Sequence, residues 1–245
     1  MNAPDWLTAR PIAHRGLHDG GKTENSLAAL CAAVKHGYAV EADVRLSRDG
    51  EIFVFHDDDL ARLTGAEGLF GQRDSAEVKT LRLRSGEPIP PLAYFLREGA
   101  TTPLILELKS DFSGDLALAR KIPAALAGHA GPVALKSFDP ALIAALRAAG
   151  APWPLGMVAQ ADYDGDEDFA NLSAAEKDRL ARFVHAGETR PDFLSWRCGD
   201  LPNAACELAR ACAGMKVMSW TVRNAAQAAQ VLRHADQIVF EGFEA

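Results

Sequence analysis

Residues 11–44 read PIAHRGLHDGGKTENSLAALCAAVKHGYAVEADV. An apolar strand ends on His14-Arg15, a loop follows, then an alanine- and leucine-rich stretch, then a second apolar strand from Ala39. The middle stretch carries apolar residues at three- and four-residue spacing, which is the helical period. Strand, helix, strand asks for a parallel sheet. Two folds supply one, and the residues after the first strand separate them. An open dinucleotide-binding sheet would place a GxGxxG turn there; this chain has His14-Arg15-Gly16 and a loop.

The same alternation runs to the end of the chain. Further strands are predicted at 103–109, 132–137, 154–158, 192–196, 215–221 and 237–240, beside 11–15 and 39–44. Helices are predicted near 25–36, 91–99, 115–127, 139–149, 173–185, 202–213 and 224–233, several opened by a capping residue: Asn25, Asp139, Ser173, Asn224. Alternation of this length, in 245 residues, is that of a (β/α)8 TIM barrel in the α/β class. One segment departs from it. Arg48-Asp49-Gly50 is a turn signal and Glu51–Phe55 reads as a strand, so 39–46 and 51–57 form a β-hairpin. Residues 1–245 are expected to be a single domain, with 47–90 inserted after the second strand, near the C-terminal mouth of the barrel.

Composition sets bounds. The chain is 48% hydrophobic and 24% charged, ordinary for a globular protein, with net charge −7. No basic stripe suggests nucleic acid, and no apolar run reaches the length of a membrane span, so no stable membrane insertion is expected. Residues 1–11 lack the pattern of a signal peptide. The four cysteines form no CxxC pair, and Cys31 and Cys206 read as small buried thiols on helices, so a reducing cytoplasm without disulfides is expected. Oligomeric state is not legible.

Chemistry concentrates on a few strands. Glu41 and Asp43 lie two apart and point to one side. Turned into a barrel they repel each other and lose hydration, which a divalent cation relieves; oxygen ligands suit Mg2+ or Ca2+, with Mn2+ next. A charged, exposed strand face is the alternative. Glu107 ends the buried run Leu104-Ile105-Leu106, where barrel active sites lie, and is the natural third ligand. Lys109, on the same face, either contacts phosphate or pairs with a carboxylate. Gly16 allows a turn that swings Arg15, a bidentate phosphate binder, over the mouth. The hairpin sets residue 55 or 56 opposite residue 43, bringing His56 to the carboxylates; with His14 it makes a proton donor and acceptor pair. Asp57 either orients His56 or caps the turn. Trp220 lines the pocket or packs in the core. His18, His36, His129, His185 and His234 are read as packing or surface residues.

The ordered set His14-Arg15-Gly16, Glu24-Asn25-Ser26, Glu41-Ala42-Asp43, Asp49-Gly50, His56-Asp57, Glu107-Leu108-Lys109, Ser137-Phe138 and Trp220-Thr221-Val222 resembles the glycerophosphodiester phosphodiesterase family over about 12–240. The resemblance implies a phospholipase C-like barrel and one divalent cation held by Glu41, Asp43 and Glu107. It implies His56 as base, His14 as acid, Arg15 on the phosphate and Lys109 supporting it, with Trp220 in the substrate pocket. The implied reaction is hydrolysis of a small-molecule glycerophosphodiester to sn-glycerol 3-phosphate and an alcohol, in glycerol and lipid metabolism. A lysophospholipase D-type reaction, or a barrel that binds phosphodiesters without turnover, are the alternatives. Two departures stand out: Thr23-Glu24-Asn25-Ser26 where the family has Pro-Glu-Asn-Thr, and Gln237-Ile238-Val239-Phe240-Glu241-Gly242 where it has Gly-Ile-Ile-Thr-Asp.

Overall fold

The computed structural model describes residues 3–245. Nine strands form one sheet: β1 (Ile12–His14), β2 (Ala39–Leu46), β3 (Ile52–Val54), β4 (Leu104–Leu108), β5 (Val133–Ser137), β6 (Leu155–Ala159), β7 (Phe193–Arg197), β8 (Lys216–Val222) and β9 (Gln237–Phe240). The order is β1-β9-β8-β7-β6-β5-β4-β2-β3, and β1 also pairs with β2 in parallel, which closes eight parallel strands into a (β/α)8 barrel. Only β3 runs antiparallel, pairing Val44 with Val54 and Leu46 with Ile52. That is the expected hairpin, and its ladder continues as the Phe55 amide donates to the Asp43 carbonyl at 3.0 Å.

Strand alternation sorts side chains into two sets. Ile12, Ala39, Ile105, Ala134, Phe193, Met218 and Val239, one from each of seven barrel strands, pack together with Leu7 as the floor of the barrel. The eighth strand contributes Gly156, where a Cβ would lie 2.3 Å from the Phe193 ring. The glycine is therefore the space the phenyl ring fills. The intervening residues, such as Ala13, Val40, Leu106 and Leu135, face out under the helices and form the large outer core. Residues 52–89 carry a separate apolar cluster built on Phe53, Phe55, Leu60 and Phe70.

Two helix readings are corrected. The first helix, Leu27–Lys35, is capped by Ser26, whose hydroxyl accepts from the Ala29 amide; Asn25 sits in the left-handed region at φ 59° and does not cap. The stretch 173–185 is broken, with helices at Ala174–Ala181 and Ala186–Thr189. Phe183 between them takes φ 55°, which a helix does not tolerate. Asp139, Ser173 and Asn224 do cap their helices. The four cysteines are free; Cys206 is buried, but Cys31 is exposed, because its helix turns that side to solvent. Among the described residues no helix is long and apolar enough to cross a membrane.

Candidate active site

Stepping two residues from each floor position toward the C-terminal end of its strand gives the next inward layer. From Ile12, Ala39, Ile105, Ala134, Met218 and Val239 the step reaches His14, Glu41, Glu107, Lys136, Trp220 and Glu241. An apolar layer thus lies directly beneath a layer in which all of these residues but Trp220 are ionisable. Several of them, with Asp43, His56 and Lys109, line a cavity of about 800 Å³ at the mouth of the barrel.

Glu41, Asp43 and Glu107 are buried, and each offers an oxygen within 4.8 Å of the others. This all-oxygen set fits a hard divalent cation. The carboxylates are also matched by fixed donors. Lys136 Nζ lies 3.0 Å from Glu41 Oε1 and 3.1 Å from Glu107 Oε2, and is 2% exposed. Lys109 Nζ lies 3.3 Å from Glu107 and 3.9 Å from Asp43. Arg15 Nε is 3.2 Å from Asp43, and the Arg15 amide donates to Glu41 at 3.2 Å. The Asn25 amide group donates to Asp43 Oδ2 at 2.9 Å and its oxygen accepts from the Asp43 backbone N–H. Burial alone would raise Asp43 and Glu107. The charges of Arg15 and Lys109 and the hydrogen bond from Asn25 on Asp43, and the charges of Lys136 and Lys109 on Glu107, overcome it and hold both below the ordinary carboxylate range. Burial works against the Lys136 ammonium, and Glu41 and Glu107 outweigh it.

Both histidines direct Nδ1 at a carboxylate. His56 Nδ1 is 2.7 Å from Asp57 Oδ1, and its Nε2 is 3.1 Å from Lys109 Nζ. Asp57 is ionised: burial raises it, but hydrogen bonds from His56 and Arg62 hold it far below the usual range. An ionised carboxylate only accepts and an ammonium only donates, so the hydrogen is on Nδ1 and the lone pair on Nε2. Asp57 thus orients His56 rather than capping the turn. His14 Nδ1 donates to Glu241 Oε2 at 2.6 Å, and its Nε2 faces Glu41 Oε2 at 4.0 Å. The hydrogen bond from His14 and the charge of Arg223 hold Glu241 well below the ordinary carboxylate range.

Arg15 takes φ 55° and Gly16 φ 81°; a Cβ at Gly16 would lie 2.8 Å from the Ala29 carbonyl carbon. The turn therefore requires glycine, and it folds Arg15 across the mouth as expected. There Arg15 also holds Glu24 at 2.5 Å. Glu24 is shared with Arg62; burial opposes its charge, but the two guanidiniums lower it to about 2. Trp220 lines the cavity, with Nε1 bonded to the Ser195 carbonyl at 3.0 Å and its ring edge-on to Phe138.

Lys136, Glu241 and Arg62 were given no role by the sequence reading, and Glu24 entered it only within the motif Glu24-Asn25-Ser26. The first two stand two residues beyond apolar floor positions on strands that reading had located. Arg62 lies in the one-turn helix Ala61–Thr64, too short for a periodicity to point to it. His18, read as packing, stands 3.8 Å from Glu241. The acidic run from Asp162 to Asp168 borders the same cavity, anchored beneath by Tyr163 and Phe169.

Comparison with known proteins agrees with this architecture. A phosphodiesterase of Oleispira antarctica, solved in complex with the product sn-glycerol-3-phosphate, superposes with a TM-score of 0.78 at 25% identity, covering 96% of this chain and 94% of that one. A glycerophosphodiester phosphodiesterase of Thermotoga maritima shares the fold at TM-score 0.71 and 22% identity, covering 94% and 92%. The probable glycerophosphodiester phosphodiesterase 2 of Mycobacterium tuberculosis is 37% identical over 86 residues, 35% of this chain. That match spans only 33% of the relative's own length. A family model described as the glycerophosphoryl diester phosphodiesterase family matches residues 14–239, and the chain belongs to that family.

Proposed function

We propose that this protein hydrolyses glycerophosphodiesters to sn-glycerol 3-phosphate and an alcohol, with one divalent cation at Glu41, Asp43 and Glu107. The observation that carries the reading is the pair of histidines at one mouth, each held at Nδ1 by a carboxylate and each turning Nε2 toward the buried charged cluster. His56 Nε2 takes the proton of the attacking hydroxyl, and Asp57 on Nδ1 balances the imidazolium that forms. His14, held by Glu241, gives its Nε2 proton to the departing alkoxide oxygen. Arg15 and Lys109 stand beside the carboxylates and counter the charge of the phosphodiester. A bound divalent cation supplies further positive charge against the phosphoryl oxygens. Glu41, Asp43 and Glu107 would hold it; Mg2+ and Ca2+ both suit their oxygens. Trp220 and Phe138 offer an apolar wall to the glycerol or the alcohol group.

The test is a panel of glycerophosphodiesters with choline, ethanolamine, glycerol or lysophospholipid acyl-glycerol groups, assayed with metal-stripped protein and returned Mg2+, Ca2+ or Mn2+. The expected products are sn-glycerol 3-phosphate and the free alcohol, only with metal. Calorimetric binding of the same compounds without product would overturn the reading, as would full turnover in EDTA.

A further inference from the structure

A second constellation lies beside the first. His14, His18 and Glu241 each offer one ligand atom, and these atoms lie within 4.8 Å of one another. The residues come from two neighbouring pieces of chain, the end of β1 with its following loop and the residue after β9. His14 Nδ1 is 2.6 Å from Glu241 Oε2, and His18 Nε2 is 3.8 Å from the same oxygen. His18 Nε2 is out of contact with solvent and makes no hydrogen bond of ordinary length, so its polar atom faces the carboxylate without being used. Arg223 engages the other oxygen, Oε1, and leaves Oε2 to the histidines. A separate cavity of about 330 Å³ is lined by His18, Arg223 and Glu241, and its lining includes neither Lys109 nor His56.

We infer that His14, His18 and Glu241 form a site for a borderline cation of the Zn2+ class, and that filling it switches off His14. Two imidazoles and one carboxylate are the donor set of three-ligand zinc sites that keep a fourth position open. Nitrogen donors favour Zn2+ or Co2+ over Mg2+ and Ca2+, which sets this site apart from the all-oxygen cluster of Glu41, Asp43 and Glu107. With metal–ligand bonds of about 2.0–2.1 Å at tetrahedral angles, donor atoms stand about 3.3–3.4 Å apart. The 2.6 Å pair must therefore open, and the 3.8 Å pair close, each by less than about 1 Å. On binding, the proton on His14 Nδ1 leaves to water and the lone pair goes to the metal. The ring then keeps its Nε2 hydrogen as a neutral, metal-bound imidazole, a far weaker acid than the imidazolium, and no longer protonates the leaving alkoxide. Glu241 serves either His14 or the metal, so turnover and occupation exclude each other.

The inhibition rests on the acid role given to His14 above; the site itself does not. Co2+ is titrated into wild-type, His18→Gln and His18→Asn proteins that carry Mg2+, and the visible bands of tetrahedral Co2+ are followed. In parallel, Zn2+ is titrated into the hydrolysis of glycerophosphocholine. Wild type is expected to develop the bands and to lose activity. Both His18 variants are expected to hydrolyse normally without Zn2+, to lack the bands, and to need about tenfold more Zn2+ or beyond for the same loss. Identical spectra in wild type and variants would overturn the site. Bands that depend on His18, with hydrolysis unaffected by Zn2+, would overturn the switch. The spectrum reads the site even in a protein that hydrolyses nothing, so failure here is told apart from failure of the proposed reaction.

Discussion

Lys136→Met removes an ammonium that is 2% exposed and bridges two buried carboxylates at 3.0 and 3.1 Å. In the wild type three carboxylates, Glu41, Asp43 and Glu107, face three cations, Lys136, Lys109 and Arg15. Without Lys136, Glu107 keeps Lys109, while Glu41 keeps only the backbone N–H of Arg15. Methionine fills much the same volume, so the perturbation is the charge. Removing one partner of a buried ion pair costs about 3–5 kcal/mol. In a domain of this size each kcal/mol moves the melting temperature by about 2–4 °C, so the variant should melt about 6–20 °C lower in EDTA. Urea unfolding in EDTA measures the free energy directly. Added Mg2+ or Ca2+ should raise the variant's melting temperature more than the wild type's, because the cation then meets an uncompensated carboxylate. A variant that melts within about 2 °C of wild type in EDTA would refute the reasoning: the cluster would not depend on an internal cation.

His14→Ala and His56→Ala should each lower kcat by about 10²–10⁴-fold with an unchanged circular dichroism spectrum; near-normal turnover in either would remove its role. Glu107→Gln should weaken divalent-cation binding in calorimetry while leaving the barrel folded. His185 is almost wholly buried, and burial lowers its pKa from 6.5 to about 4, with Arg179 adding to the effect. The unfolded chain therefore binds the extra proton first. His185 costs nothing above pH 6.5, and stability falls by about 3 kcal/mol as pH drops from 6.5 toward 4. His185→Gln should flatten that slope in urea titrations at pH 7, 6 and 5; an unchanged slope would place the loss elsewhere.

The barrel was legible because its strands carry the period-two signal and its helices the 3.6-residue signal, and because both survive translation into contacts. The carboxylate cluster of Glu41, Asp43 and Glu107 was legible for the same reason, and the position of His56 because the turn at Arg48-Asp49-Gly50 sets the register of β3. Lys136 was equally legible in principle. It stands two beyond the floor residue Ala134, as Glu107 stands two beyond Ile105. A lysine near a strand end reads as solvent-facing unless the strands on both sides are known to present acids, and that is tertiary information. Glu241 closes the barrel next to β1, a neighbour 227 residues distant, which no local pattern reports. Asn25 satisfied the rule for a helix cap, yet its amide is committed to Asp43, and Ser26 takes the capping role.

The two histidines are carried by different pieces of the molecule. His14 stands on the barrel wall, whereas His56 and Asp57 follow β3 and are held by the separate apolar cluster around Phe53, Phe55 and Phe70. The cluster is small, and small units open at lower free energy than the body they lean on. Opening it would carry His56 and Asp57 away while Glu41, Asp43, Glu107 and His14 stay in place. Heat inactivation and barrel melting are then separate events, with turnover the first to go and cation binding the last.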